Sequence, residues 1–181
     1  MLFLPFAPTV PALDTERLIL RGHTLVDFDE CAAMWADPRV TRHISGRPFT
    51  EEEAWARVLR NTGLWTLLCF GYWVVRERAS GRFVGEVGLG DFRRDLSPRL
   101  DGAPEVGWAL ASWAHGRGFA TEAVRAVLAW GDSHIGPVRT VCLIAPENAA
   151  SIRVAEKCGF REHARVTYQG WETLLFERGS A

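Results

Sequence analysis

Charge of one sign is not in excess in this chain. Its 21 Lys and Arg stand against 22 Asp and Glu, for a formal net charge of -1. Binding to a nucleic-acid backbone needs a basic face, so no nucleic-acid partner is expected from bulk electrostatics, although a local basic patch stays open. No C-x-x-C pair occurs among Cys31, Cys69, Cys142 and Cys158, and each sits among apolar neighbours. They read as reduced, buried, small hydrophobes, which implies a cytoplasmic compartment. His23, His43, His115, His134 and His163 show no metal-ligand spacing, so neither a structural zinc site nor any other metal is expected. No stretch reaches the roughly 18 apolar residues of a membrane span, so no membrane partner is expected. The opening run MLFLPFAPTVPALD is apolar, but Pro5, Pro8 and Pro11 break it and no basic residue precedes it, unlike a secretory signal. Residues 1–12 are expected to be loosely ordered, ahead of one domain over residues 13–181.

What is present suits that single domain. The 181 residues are 48% hydrophobic and 24% charged, enough for a sizeable core. ERLILRGH (16–23) has β character. TLVDFDECAAMWADP (24–38) places apolar residues at helical spacing, with Thr24 or Asp27 as cap and Pro38 as the stop. FTEEEAWARVLRNTG (49–63) is a second helix, with a Thr50–Glu53 capping box and Gly63 at its end. Residues 69–92 read as two strands joined at Ala79-Ser80-Gly81, followed by a charged loop over 91–103. A strand over 104–111, a helix over 121–134, a nearly all-apolar strand over 138–145 and a helix over 148–160 follow. REHARVTYQGWETLLFER (161–178) closes the chain as a hairpin turning at Gly170. Strands and helices interleave, which predicts one α/β domain with a mixed sheet.

Between the 104–111 strand and the following helix lies AHGRGFATEA (114–123). A helix start offers unpaired N–H groups and partial positive charge, and glycine lets an anion approach the backbone. The loop therefore reads as a phosphate cradle, with Arg117 either adding charge or pointing to solvent. On the motif alone, a plain turn is as good a reading. A dinucleotide fingerprint would need a third glycine where Thr121 stands, which weakens a nicotinamide-dependent oxidoreductase, and the Gly-Lys-Ser/Thr of a P-loop is absent.

EVGWALASWAHGRGFATEA (105–123), APENAASIRVAEKCGF (145–160), LDTERLILRGHTLVDFDE (13–30) and DPRVTRHISGRPFTEEEAW (37–55) are further informative. Together they resemble the Gcn5-related N-acetyltransferase (GNAT) superfamily, in the branch of the ribosomal-protein N-terminal acetyltransferases. The similarity runs over roughly residues 13–178. It implies a single-domain α/β fold with a mixed, mostly antiparallel twisted sheet. About seven strands would splay between the fourth and fifth, flanked by about four helices. It implies acetyl-CoA as co-substrate and an amine acceptor, either a protein N-terminus or a small molecule. Homodimers are common in the branch. The family's Q/R-x-x-G-x-G/A loop for the coenzyme A pyrophosphate maps to His115, Gly116, Arg117, Gly118, Phe119 and Ala120, leading into Thr121. His115 departs from the usual Gln or Arg. The resemblance also implies a bulged strand before the loop, with the pantetheine arm along Trp108, Ala109 and Leu110. The Leu110 backbone N–H would then polarise the thioester carbonyl.

The resemblance further implies a tyrosine acid seven residues after Asn148, but Ala155 occupies that position. Ser151, one helical turn after Asn148, is the substitute hydroxyl, unless it only bonds inside its helix. Asn148 is a helix N-cap that also suits a pantetheine contact. Glu86, in FVGEVGL, and Glu105, in PEVGWAL, are the candidate bases. A carboxylate on an apolar strand gains a raised pKa suited to that work, but each is equally an ion-pair partner for Arg76 or Arg82. Alternation puts Glu105, Gly107 and Ala109 on one face of their strand. At pH 7 roughly a tenth of an α-amine is neutral, against well under a thousandth of a lysine amine. A site without a dedicated base therefore favours an α-amine. His43 and its loop (42–49) are a candidate edge of the acceptor pocket. The missing tyrosine also leaves a non-catalytic acyl-CoA-binding module as the alternative function.

Overall fold

The computed structural model describes residues 9–179. Thr50 caps the longest helix by accepting from the Glu53 amide at 3.2 Å, while the Glu53 carboxylate accepts from the Thr50 amide at 2.9 Å. This capping box opens α3 (Glu51–Leu68) as expected, but the helix does not end at Gly63. Leu64 and Trp65 are buried beyond it and extend the apolar stripe, and Cys69 stops the helix in a left-handed conformation. Cys69 is exposed there, against the expectation that all four cysteines are buried. Pro38 likewise opens a short helix, α2 (Pro38–Thr41), with Asp37 as its cap, after α1 (Phe28–Trp35) has ended.

The first strands, β1 (Leu13–Asp14) and β2 (Leu18–Arg21), pair with each other. Next come β3 (Tyr72–Glu77), β4 (Phe83–Gly90) and β5 (Glu105–Leu110). Then follow α4 (Phe119–His134), β6 (Thr140–Ile144) and α5 (Ala149–Lys157). The hairpin of β7 (Arg161–Tyr168) and β8 (Trp171–Arg178) turns at Gln169-Gly170. The order across the sheet is β1-β2-β3-β4-β5-β6-β8-β7. This is eight strands rather than about seven, because two-residue β1 is too short for any period to reveal. Every neighbouring pair is antiparallel except β5–β6, which is parallel and meets at the single position Glu105↔Val141. The sheet therefore opens along β5 toward Leu110, which is the expected splay.

The sheet is covered on both faces. Val106 and Leu110 pack with Trp73, Val84, Val87 and Leu89 against α4. Ala109, Val74 and Phe83 pack against α1 and α3 through Met34, Trp35, Ala54 and Val58. The 91–103 loop adds Leu96 to a smaller cluster with Val141, Val166 and Leu175. Of the segment expected to be loose, residues 1–8 lie outside the described residues. Val10 packs on the core, and the Pro11 carbonyl accepts from Trp73 Nε1 at 2.7 Å.

Candidate active site

The chain enters α4 through two left-handed glycines, Gly116 (φ 74°) and Gly118 (φ 80°), and no side chain caps the helix. Among the described residues, the amides from Gly116 to Thr121 meet no protein acceptor. A Cβ on Gly116 would touch nothing within 4 Å, so the loop's outer face is open. The result is a row of bare N–H groups at a helix N-terminus, which is an anion cradle. Arg117 is committed rather than loose. It donates to Glu77 at 2.9 Å, and its guanidinium lies over the rings of Trp113 and buried Phe119. Ala120 is half-buried beside the core. Sequence reasoning missed Arg17, which donates to the Arg117 carbonyl at 3.0 Å and pairs with Glu122. An open cleft beside the loop is bordered by Arg17, Gly118, Thr121, Arg125 and Lys157. These cations and bare amides fit a phosphate-bearing cofactor.

His115 folds back from the loop, placing its Nε2 2.8 Å from the Leu110 carbonyl. With the proton on Nε2, the ring donates to that carbonyl. The next amide, Ala111, donates to the Val84 carbonyl at 2.9 Å, toward β4. Backbone groups alternate along a strand, so both Leu110 groups turn the opposite way, into the opening between β5 and β6. The Leu110 N–H thus projects where β6 has diverged. Trp108 is half-buried against the α4-side core, and Ala109 is buried on the opposite face. The expected bulge on β5 is not found in its pairing with β4, where Gly85↔Leu110 through Gly90↔Glu105 stay in unbroken register. The irregularity falls one pair earlier, between β3 and β4 at Val75/Arg76.

Asn148 caps α5, its Oδ1 accepting from the Ser151 amide at 3.1 Å. The Ser151 hydroxyl is half-buried and bonds no helix carbonyl among the described residues. Ala155 is fully buried in the core, so position 155 faces inward rather than into an open site.

The two candidate bases differ from expectation. Glu86 is buried beneath α1 and α3, and its Oε1 accepts from Asn61 at 3.0 Å and lies 2.6 Å from His23 Nε2. Its Oε2 accepts from Trp35 Nε1 at 2.6 Å. Burial alone would raise the carboxyl, but His23, Arg57 and Trp35 outweigh it and hold the pKa near 2. The anticipated raised value is therefore corrected, and its partners are not Arg76 or Arg82. Arg76 instead bonds Asp27 and Glu30. Glu105 gives both oxygens to Arg94, at 2.5 and 2.7 Å, and Arg94 also donates to Tyr168 Oη at 2.7 Å. His23, Cys31 and Glu86 do come together, with ligand atoms within 4.8 Å, although nothing in the sequence spacing brings them near. Burial and the Glu86 charge raise the Cys31 thiol.

Beside Glu86 the α3-covered face carries Tyr72, whose ring crosses onto β5. A Cβ on Gly107 would lie 2.2 Å from Tyr72 Oη, so only glycine admits that hydroxyl. Burial and Glu105 push the Tyr72 phenol up to about 12. Arg57 lies over Trp35 with its guanidinium carbon 3.9 Å from the ring centroid. Arg60 lies over Phe92 at 5.0 Å, as does Arg94. Apart from Arg94, one of the charges of the 91–103 loop, none of these is singled out by the sequence. The available signal was the i,i+3 spacing of Arg57 and Arg60 on one helix face. His43 is half-buried in its loop and makes no hydrogen bond among the described residues.

Residues 17–161 match the acetyltransferase (GNAT) domain family. The chain belongs to that family. A putative GNAT-family acetyltransferase from Bordetella pertussis is 38% identical, with a TM-score of 0.82, covering 93% of this chain and 99% of that one. An uncharacterized N-acetyltransferase, p20, from Bacillus licheniformis is 28% identical over 156 residues, 83% of this chain and 82% of its own. A ribosomal L7/L12 alpha-N-protein acetyltransferase, RimL, solved in complex with coenzyme A, shares the fold at a TM-score of 0.77. It is 14% identical and covers 93% of this chain and 98% of its own. The acetyltransferase therefore moves an acyl group from acetyl-CoA, and among its described residues no helix is long and apolar enough to cross a membrane.

Proposed function

We propose that the acetyltransferase carries an acetyl group from acetyl-CoA to an α-amine by direct attack. The observation that carries this reading is the Leu110 N–H, turned into the β5–β6 opening beside a loop of bare amides. Acetyl-CoA supplies an activated thioester, whose carbonyl needs one strong donor in a water-poor site. The Leu110 amide is that donor, and the His115 bond to the Leu110 carbonyl holds the next peptide of the strand. The amides from Gly116 to Thr121 bind the pyrophosphate. The Ser151 hydroxyl, one turn into α5, hydrogen-bonds or protonates the departing thiolate. Asn148 orders the start of that helix.

No carboxylate is assigned as general base. A Glu86 held near pKa 2 is a weak base at neutral pH, and Glu105 is held in a bidentate pair. An acceptor that is partly neutral by itself fits such a site, and an α-amine satisfies this. A second reading, an acyl-CoA-binding module without turnover, rests on buried Ala155 in place of the family's tyrosine. Thermal unfolding with acetyl-CoA, with NADH as control, tests the cofactor. A ligand at 100 times its Kd adds about 2.7 kcal/mol. No rise in Tm at millimolar acetyl-CoA would overturn the cofactor assignment. Thiol release on adding amines separates the enzyme from the module.

A further inference from the structure

Three guanidiniums converge on the sheet face opposite α4, away from the pyrophosphate loop. Arg57 and Arg60 come from one face of α3, and Arg94 comes from the loop after β4. Their mutual proximity is electrostatically visible. Desolvation, then Arg57, then Arg94 among its cationic neighbours, lower Arg60 below its ordinary value. Arg94 is satisfied by Glu105 and Tyr168. Arg57 and Arg60 have no carboxylate within salt-bridge range among the described residues, and the buried Arg57 Nε has no hydrogen-bond partner at all. The Glu86 charge acts on both arginines but bonds neither, and a buried donor left unmet is unfavourable.

The place matters as much as the charge. Arg57 lies on the Trp35 ring, and Trp35 Nε1 bonds Glu86. Glu86 is the cross-strand partner of Ala109, which directly precedes Leu110. Directly opposed Cβ atoms are about 5 Å apart, so Arg57 is linked through Trp35 and Glu86 to the residue before the proposed acetyl-transfer point. Tyr72 lies against Gly107 on this face, and the Phe92 ring lies 5.0 Å from the guanidinium carbons of both Arg60 and Arg94. A guanidinium offers paired N–H donors, which match a carboxylate.

We propose that Arg57 and Arg60 bind a carboxylate carried by the acceptor, so that the acceptor is an α-amine bearing a side-chain carboxylate. This rests on the acetyltransferase reading above. The shared chemistry occurs in a peptide with an acidic first residue and in a small amino-acid derivative, and the two sources are tested as separate arms.

The measurement is thiol release from acetyl-CoA with matched acceptors. One arm pairs peptide amides that begin with Glu or Asp against those that begin with Gln or Asn. The other pairs glutamate α-amide against glutamine α-amide. The expected result is a kcat/KM at least about tenfold higher for the acid of a pair, and which arm shows it identifies the source. R57Q and, separately, R60Q should bring that ratio near one, chiefly through KM. Arg60 is exposed, so its variant gives a reading even where R57Q fails to fold. Acetyl-CoA raising Tm while the amides react as well as the acids, or while no acid reacts, overturns this proposal and leaves the cofactor reading standing. No rise in Tm with acetyl-CoA overturns the cofactor reading itself.

Discussion

Ser151 and Glu86 are the two side chains whose roles diverge most between packing and chemistry. Ser151 spends only its amide on the Asn148 cap, and its hydroxyl has no helix carbonyl to satisfy. Removing it costs the fold little. Ser151→Ala should leave Tm within a degree or two and leave acetyl-CoA binding unchanged, while kcat falls by about 10²-fold, the low end for loss of a positioned acid. An unchanged kcat would return Ser151 to a purely local role. Glu86 is the reverse case. Its carboxylate is bonded to three side chains from three segments, His23, Trp35 and Asn61. The acid limb of kcat/KM should belong to the acceptor amine. Glu86→Gln should therefore leave that limb in place, and a limb that moves or vanishes in the variant would reinstate Glu86 as base. The sequence made Glu86 visible only as a charge among apolar neighbours. Its partners lie 25 to 63 positions away, so no local pattern could report that its pKa is lowered rather than raised.

At the scale of elements, the local signals that succeeded were those with a self-contained mechanism. The Thr50–Glu53 box, the Gln169-Gly170 turn and the glycine loop each close within a few residues, and each is where it was read. Gly63 misled because glycine ends a helix only where the apolar stripe also ends, and Leu64 and Trp65 continue it. The β5–β6 splay was legible only through family resemblance, since parting strands leave no mark on periodicity. The loop yields a further prediction. Gly118 is left-handed at φ 80°, and an added Cβ would lie 3.4 Å from Arg17 Nη2. Gly118→Ala strains the turn by about 1 kcal/mol and disturbs the amide row, so the Kd for acetyl-CoA should rise about tenfold. Calorimetric titration measures this. A variant that binds as tightly as the parent would mean that the row of bare amides is not the cofactor's main anchor.

Across the whole molecule, two buried carboxylates join the N-terminal segment to the sheet. Asp27 is fully buried and receives Arg21 at 2.6 Å, Arg76 at 2.7 Å and the Thr24 hydroxyl at 2.7 Å. Burial opposes its charge, but these donors prevail and hold the carboxyl well below its ordinary 3.8. Glu86 is held near 2 against an ordinary 4.5. Both folded values are depressed, so the unfolded chain binds protons more readily than the folded one. The stability these groups provide is complete above their unfolded pKa values and is lost as pH falls through the folded ones. Unfolding free energy should therefore be flat above about pH 5 and decline steadily toward about pH 2. Asp27→Asn and Glu86→Gln should each be less stable at pH 7, and each should show a shallower acid decline than the parent. Denaturant unfolding at stepped pH reads both quantities. Curves for parent and variants that fall in parallel would show that acid unfolding is driven elsewhere, and the two buried carboxylates would then be fixed in position without governing the protein's response to acid.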